Sequence, residues 1–399
     1  MKVRVLNSLH QGYHGGMGRM GHRFSIVLMA AVLVASAWLG VTEPGRAAVK
    51  AALFVPEILP NAPLHPQRWL REDPSYEAVR FFYGGAEGAS DLYVPSGGGK
   101  YPAVVLFFGV IPAGRDDPRI VNLASGLARS GIVVLIPWSE VMTTFHRLDP
   151  KAVDLLVGAF QYLESHPAVD ASRIGVAGFC VGASFAALAA EDDRIKEKVA
   201  YVNSFGGYYD AKDLLVAIAS QTRFYDDFSE PWTPREDSKT VFAVHLLEGL
   251  PDAREGEMLA REFGYLKEPP AATYDPVSVS QEAQAVRSLL SGVTMQEAQA
   301  LLSSLPSQFL DDLALISPST RIGDLKAPVL IMHDSEDTAV PAAESRRMAN
   351  ALKERGQVHY TEFSLFQHVD PTRQLSPLDM AKEVWKLMFH MYMVMRLGT

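Results

Sequence analysis

RIGVAGFCVGASFAALAA, residues 173–190, passes from an apolar run into a helical one, with a cysteine at the bend. Arg173 to Phe179 has the length and bounding residues of a strand buried on both faces. Ala183 to Ala190 is a run of good helix formers. Between them stands Gly178-Phe179-Cys180-Val181-Gly182, in which two glycines flank one potential nucleophile. A strand that turns this sharply into a helix needs small residues on either side of the turn. It also lifts Cys180 above the carboxyl end of the sheet, at the start of a helix whose dipole favours a thiolate.

Working outward, the flanks alternate in the same way. Ala103 to Phe108 (AVVLFF), Ile132 to Pro137 (IVVLIP) and Val199 to Phe205 read as further strands. Residues 119–130 and 150–165 carry apolar stripes at helical spacing, and Gly131 stops the first. Strand alternating with helix means right-handed βαβ units and a mostly parallel sheet with helices on both faces. Ahead of it, Val79 to Tyr83 and Asp91 to Val94 read as a hairpin.

After Phe205 the alternation stops until Pro328 to His333 (PVLIMH). That gap is far longer than a plain connection of about 2–6 residues. Within it Gln281 to Leu290 and Met295 to Leu305 read as helices, the second with a Thr294–Glu297 capping box. A helix at 342–353, a strand at His359 to Ser364 and a helix at 377–396 complete the chain. The expected organisation is a core at 76–207 and 323–399, a helical cap inserted at 208–322, and a Pro-rich linker at 48–75.

The start of the chain has a different character. Phe24 to Val41 carries no charge and follows Lys2, Arg4, Arg19 and Arg23. A basic segment followed by an apolar one is a targeting signal, so residues 1–47 are expected to stand apart from the fold. Two readings are open. Cleavage after Ala47 follows the small-x-small form of Gly45-Arg46-Ala47. Retention as one membrane-anchoring helix follows from a length near the lower limit for a span, roughly 17–25 residues, and is the preferred reading. Residues 24–41 then meet the membrane with the N-terminus inside and the catalytic domain outside the cytoplasm; cleavage leaves it secreted or periplasmic. His10, His14 and His22 sit in the Gly-rich tail before this run.

Bulk properties exclude several classes. A net charge of −9, with no basic run interleaved with aromatics, argues against a nucleic-acid surface. One cysteine permits neither an internal disulfide nor a Cys-based zinc cluster. No metal or cofactor is expected.

Partners for Cys180 follow in chain order. Asp337 lies in HDSEDTAVP, just beyond strand 328–333, and His368 lies in FQHVD beyond strand 359–364. Both fall at the carboxyl end of the sheet, in the order nucleophile, acid, histidine. His368 would hold Cys180 as thiolate and protonate the leaving group, while Asp337 orients the imidazole. Asp334 and Glu336 are expected to face solvent or cap the loop, and His333 to bond to backbone. His146, His166, His245, His359 and His390 are assigned to structure. The oxyanion donors are expected at the Val181 N–H and at Gly109 or Val110.

VDASRIGVAGFCVGASFAALAA (169–190), APVLIMHDSEDTAVP (327–341) and the strand-then-His segment at 359–368 resemble the dienelactone hydrolase family. The resemblance implies the α/β-hydrolase fold and maps that family's Cys–Asp–His triad onto Cys180, Asp337 and His368. It implies cleavage of a small-molecule carboxylic ester or lactone through an acyl-enzyme thioester, without a cofactor. The family's Glu after the third strand is absent from VVLFFGVIPAG, and Ala183 stands where the family has Gly. These departures, with the cap, point to an activated ester or lactone other than dienelactone. GFCVG is also similar to the cysteine box of polyhydroxyalkanoate synthases, which implies acyl transfer instead. A membrane-tethered, non-catalytic module on the same fold is the third reading.

Overall fold

The computed structural model describes residues 38–60, 62–110, 114–266 and 279–398. The chain opens with helix α1 (Glu43–Ile58) and the single turn α2 (Gln67–Leu70). Next come β1 (Ser75–Tyr83), β2 (Ala86–Val94), β3 (Tyr101–Phe107), α3 (Pro118–Arg129), β4 (Val133–Trp138), the short α4 (Glu140–Thr143) and α5 (Ala152–Ser165). Then follow β5 (Val169–Phe179), α6 (Val181–Ala190) and β6 (Val202–Phe205).

A long insertion holds α7 (Ala211–Ser220), a small hairpin β7 (Thr222–Tyr225) and β8 (Phe228–Pro231), then α8 (Glu236–Glu248), α9 (Ala253–Glu262), α10 (Gln281–Ser291), α11 (Met295–Leu302) and α12 (Ser307–Leu315). The chain ends with β9 (Val329–Asp334), α13 (Ala342–Leu352), β10 (Val358–Phe363) and α14 (Pro377–Leu397).

Eight strands form one sheet in the order β1-β2-β4-β3-β5-β6-β9-β10. Strand β1 pairs antiparallel with β2, and β2 with β4; from β4 to β10 every pairing is parallel. The inner parallel strands β3 and β4 are largely apolar and buried because helices cover both faces. Val176, Val202 and Ile331 pack toward α5, α6 and α13. Ala177, Phe205 and Met332 pack toward α1, α3 and α14. This is the α/β-hydrolase fold, with the carboxyl ends of β5, β9 and β10 along one edge.

Two departures from expectation have simple causes. The stretch expected as Pro-rich linker, 48–75, starts inside α1. Thr42 caps that helix by accepting the Gly45 N–H at 3.1 Å, and Pro44 sits in its first turn, where a missing N–H costs nothing. Ala47, Ala51, Phe54 and Val55 make a buried stripe on it. Pro56 comes only at the end, two residues before the helix stops. The cleavage position after Ala47 therefore falls within a helix, at a fully buried residue. Of the expected apolar span, residues 24–37 lie outside the described residues; among those described, no helix is long and apolar enough to cross a membrane. In the insertion, the hairpin β7–β8 and helices α7, α8, α9 and α12 were not foreseen; α8 spreads its apolar residues evenly around its axis and so carries little periodic signal.

Candidate active site

Cys180 bridges the end of β5 and the start of α6 with φ +55° and ψ −138°, a conformation that is costly for a residue with a side chain. Two backbone bonds hold it there. The Cys180 N–H donates to the Phe205 carbonyl at 2.8 Å, and the Ala183 N–H donates to the Cys180 carbonyl at 2.9 Å. The flanking glycines are required by close approach. A Cβ at Gly178 would strike the Gly182 carbonyl, and one at Gly182 would stand 2.5 Å from the Phe107 carbonyl oxygen. The G-x-C-x-G spacing thus reflects a backbone folded onto itself and onto the end of β3.

His368 reaches the same edge from the loop after β10. It too has a positive φ, +62°, and its N–H donates to Asp334 Oδ2 at 3.0 Å. Its Nδ1 lies 2.6 Å from Asp337 Oδ2. Asp337 is 1% exposed, and its Oδ1 accepts the N–H groups of Ala339 at 2.6 Å and Val340 at 3.1 Å. Burial alone would raise the Asp337 pKa, but His368 and His333 hold it well below the ordinary carboxylate range. Burial likewise acts to depress His368, yet the Asp337 charge, and next the nearby Cys180, raise its pKa well above 6.5. His368 Nε2 is buried and has no hydrogen-bond partner of normal geometry within the protein. The imidazole is therefore anchored on one nitrogen and open on the other, beside a half-buried thiol.

The structure brings Cys180, Asp337 and His368 together as expected and adds groups the sequence did not reveal. Asp334 does not face solvent. It is fully buried and accepts from the His368 N–H, from Arg373 at 2.9 Å and from the Glu336 N–H at 3.1 Å, which fixes both loops at once. Glu336 is the exposed neighbour and pairs with Arg223. His333 bonds to the Val340 carbonyl at 2.9 Å, as expected of it, and also lies 3.4 Å from Asp337 Oδ2. From the insertion, Trp232 Nε1–H donates to the Asp337 carbonyl at 2.8 Å and the Arg235 N–H donates to the Thr338 carbonyl at 2.7 Å. The cap hairpin is thereby tied to the acid loop.

Cys180, Val181, Val110 and His368 border one cavity of about 630 Å³. That is within the usual range for small-molecule sites, roughly 300–1,000 Å³. Gly109, at φ +71°, lies so close to the elbow that a Cβ there would stand 2.7 Å from the Gly182 nitrogen. The oxyanion candidates Val181, at the start of α6, and Val110, after β3, thus both border the cavity with Cys180; residues 111–113, which follow Val110, lie outside the described residues. His245, assigned to structure from sequence, also borders the cavity, with a buried Nε2 that has no partner. Burial lowers its pKa, so it stays neutral there. At the rim Arg119 binds Asp117 and reaches Asp370 at 2.6 Å, joining α3 to the histidine loop. No group of His, Cys, Asp and Glu among the described residues could hold a metal ion.

Residues 90–218, from β2 into α7, match the model of the dienelactone hydrolase family. The match to that family is confined to this stretch of the chain. Within it lie the elbow and the β3 loop; Asp337 and His368 lie beyond it. Over 118 residues the chain is 35% identical to a Bradyrhizobium protein named as a probable 2-oxo-3-(5-oxofuran-2-ylidene)propanoate lactonase. That match covers 26% of this chain and 46% of the relative, so the chain spans about half the length of the curated relative it matches. Among solved structures, an acylaminoacyl peptidase in complex with Z-Gly-Gly-Phe-chloromethyl ketone is 16% identical, with a TM-score of 0.48 over 78% of this chain and 40% of that one. A hyperthermophilic esterase from the archaeon Pyrobaculum calidifontis is 16% identical, with a TM-score of 0.45 over 87% of this chain and 92% of that one.

Proposed function

We propose that this protein hydrolyses a carboxylic ester or lactone, with Cys180 as nucleophile, His368 as general base and acid, and Asp337 as the group that orients His368. The observation that carries this reading is the 2.6 Å contact from His368 Nδ1 to a buried Asp337, with Nε2 left open beside a cysteine on a strained elbow. The dienelactone hydrolase segment and the lactonase relative support the same reaction class.

Cys180 gives its proton to His368 Nε2, and the thiolate attacks the carbonyl carbon, forming a C–S bond. The oxyanion is met by the Val181 N–H and by an N–H at Gly109 or Val110. Collapse breaks the C–O bond, and His368 returns its proton to the departing alkoxide, which in a lactone stays tethered to the acyl group. Water then gives a proton to Nε2 and adds to the thioester; the thiolate leaves and the acid is released. The basic and then apolar start of the chain supports a catalytic domain held outside the cytoplasm by its N-terminal segment.

A chromogenic acetate ester tests the chemistry. The full chain is expected to cleave it, iodoacetamide to abolish the activity, and Cys180→Ala to lower kcat by at least about a hundredfold. An unchanged rate in Cys180→Ala would overturn the assignment. Polymer formation from a hydroxyacyl thioester, with no free acid, would move the protein to acyl transfer.

A further inference from the structure

The cavity at Cys180 is bounded by more than the cap. It also borders Leu106, Ala177 and Phe205 on the α1/α3/α14 face of the sheet, together with Phe54 of α1, Leu127 of α3 and Met391 of α14. Tyr201 borders it four residues upstream of Phe205 on the β6 side. The cavity therefore runs back beneath the sheet for roughly 10–13 Å from the strand ends, at about 3.3 Å per residue. The cap residues Leu214, Ile218 and Phe242 border its other part. Packed interiors hold few voids larger than a water molecule, and an apolar void lowers stability.

This space has a cause in the sequence. Side chains alternate along β5, so Gly175, Ala177 and Phe179 share one face while Val176 packs on the other. Gly175 is covered by the Tyr201 ring, which a Cβ there would strike. Ala177 is left as a small residue near the carboxyl end of β5, bordering the same cavity as the flexible Met391.

We propose that this lower arm holds a long, unbranched apolar chain, so that the substrates are fatty-acyl esters. The chemistry at Cys180 rests on the function proposed above; the chain-binding arm does not. The apolar chain would run from the reacting carbonyl over Phe205 and Ala177 toward Met391, and the alcohol portion would lie under the cap.

Full-length protein assayed on nitrophenyl acetate, butyrate, octanoate and dodecanoate tests this. The value of kcat/KM is expected to rise by up to about fourfold per methylene until the arm is filled, as about 0.8 kcal/mol per buried methylene requires. Ala177→Leu and Met391→Trp should each lower the dodecanoate-to-acetate ratio of kcat/KM by at least tenfold, and Met391→Ala should move the optimum to longer chains. A series that is flat or falls beyond butyrate, or variants that leave the ratio unchanged, overturns the proposal. If no ester is cleaved, the hydrolytic function fails by itself. Calorimetry of dodecanoate with Cys180→Ala then decides the arm: binding that Met391→Trp weakens tenfold supports it, and no binding overturns it.

Discussion

At the residue scale the proposed site depends on Asp337. Its carboxylate is the charge that outweighs burial and keeps the His368 pKa high. Asp337→Asn keeps the shape and removes that charge. The imidazole pKa is then expected to fall, and kcat to drop by about two to four orders of magnitude, as when an orienting carboxylate is neutralised in comparable sites. A pH–rate profile alongside NMR titration of the imidazole checks it, and a profile identical to the parent's would remove Asp337 from its role. That Cys180, Asp337 and His368 meet at one end of the sheet was readable in the sequence because each follows a strand in a fixed order. Asp334 caps its loop through the Glu336 N–H, one of the two expectations for it, but its longer reach carried no local signal, since the His368 N–H and Arg373 are 34 and 39 residues away. Trp232 and His245 carried no signal for a similar reason: nothing in a linear pattern announces that an insertion folds back over a loop about a hundred residues later.

At the element scale the parallel strands were legible because burial on both faces leaves short continuous apolar runs. Their ends were less so: β5 starts at Val169 rather than Arg173, and β6 at Val202 rather than Val199. Helix α1 was hidden by its prolines, although Ala47, Ala51, Phe54 and Val55 sit at helical spacing. It packs against α3 and α14 and closes one side of the cavity, so its first turn bears on stability. Removing residues 1–47 takes away the Thr42 cap and the buried Ala47. Loss of an N-cap alone costs about 1 kcal/mol, and lost packing adds to it. A chain starting at Ala48 is therefore expected to melt several degrees below one starting at Trp38. Equal melting temperatures would mean that the first turn of α1 contributes nothing.

At the scale of the whole molecule, the far end of α6 sets a pH limit on stability. Helix α6 is buried along its full length and ends at Glu191, itself 1% exposed, with no hydrogen-bond partner for either carboxyl oxygen. Burial pushes its pKa up to about 9, against the weaker pull of Arg321, whose guanidinium pairs with Asp324 at 3.2 Å and meets Glu191 at its backbone carbonyl, at 3.3 Å. A carboxylate at a helix C-terminus also opposes the helix dipole. In the unfolded chain Glu191 ionises near 4.5; in the folded chain it keeps its proton up to about 9. Between those values the folded state binds a proton that the unfolded state does not, so stability falls as pH rises through the window. The penalty is absent below 4.5 and complete above 9. At neutral pH it is on the order of 3 kcal/mol. Glu191→Gln removes the titration while keeping the shape. Its melting temperature is expected to match the parent's near pH 4.5 and to exceed it by a margin that widens toward pH 9. A constant difference across that range would show that Glu191 is solvated or paired in solution, and that the end of α6 is more open than its burial implies.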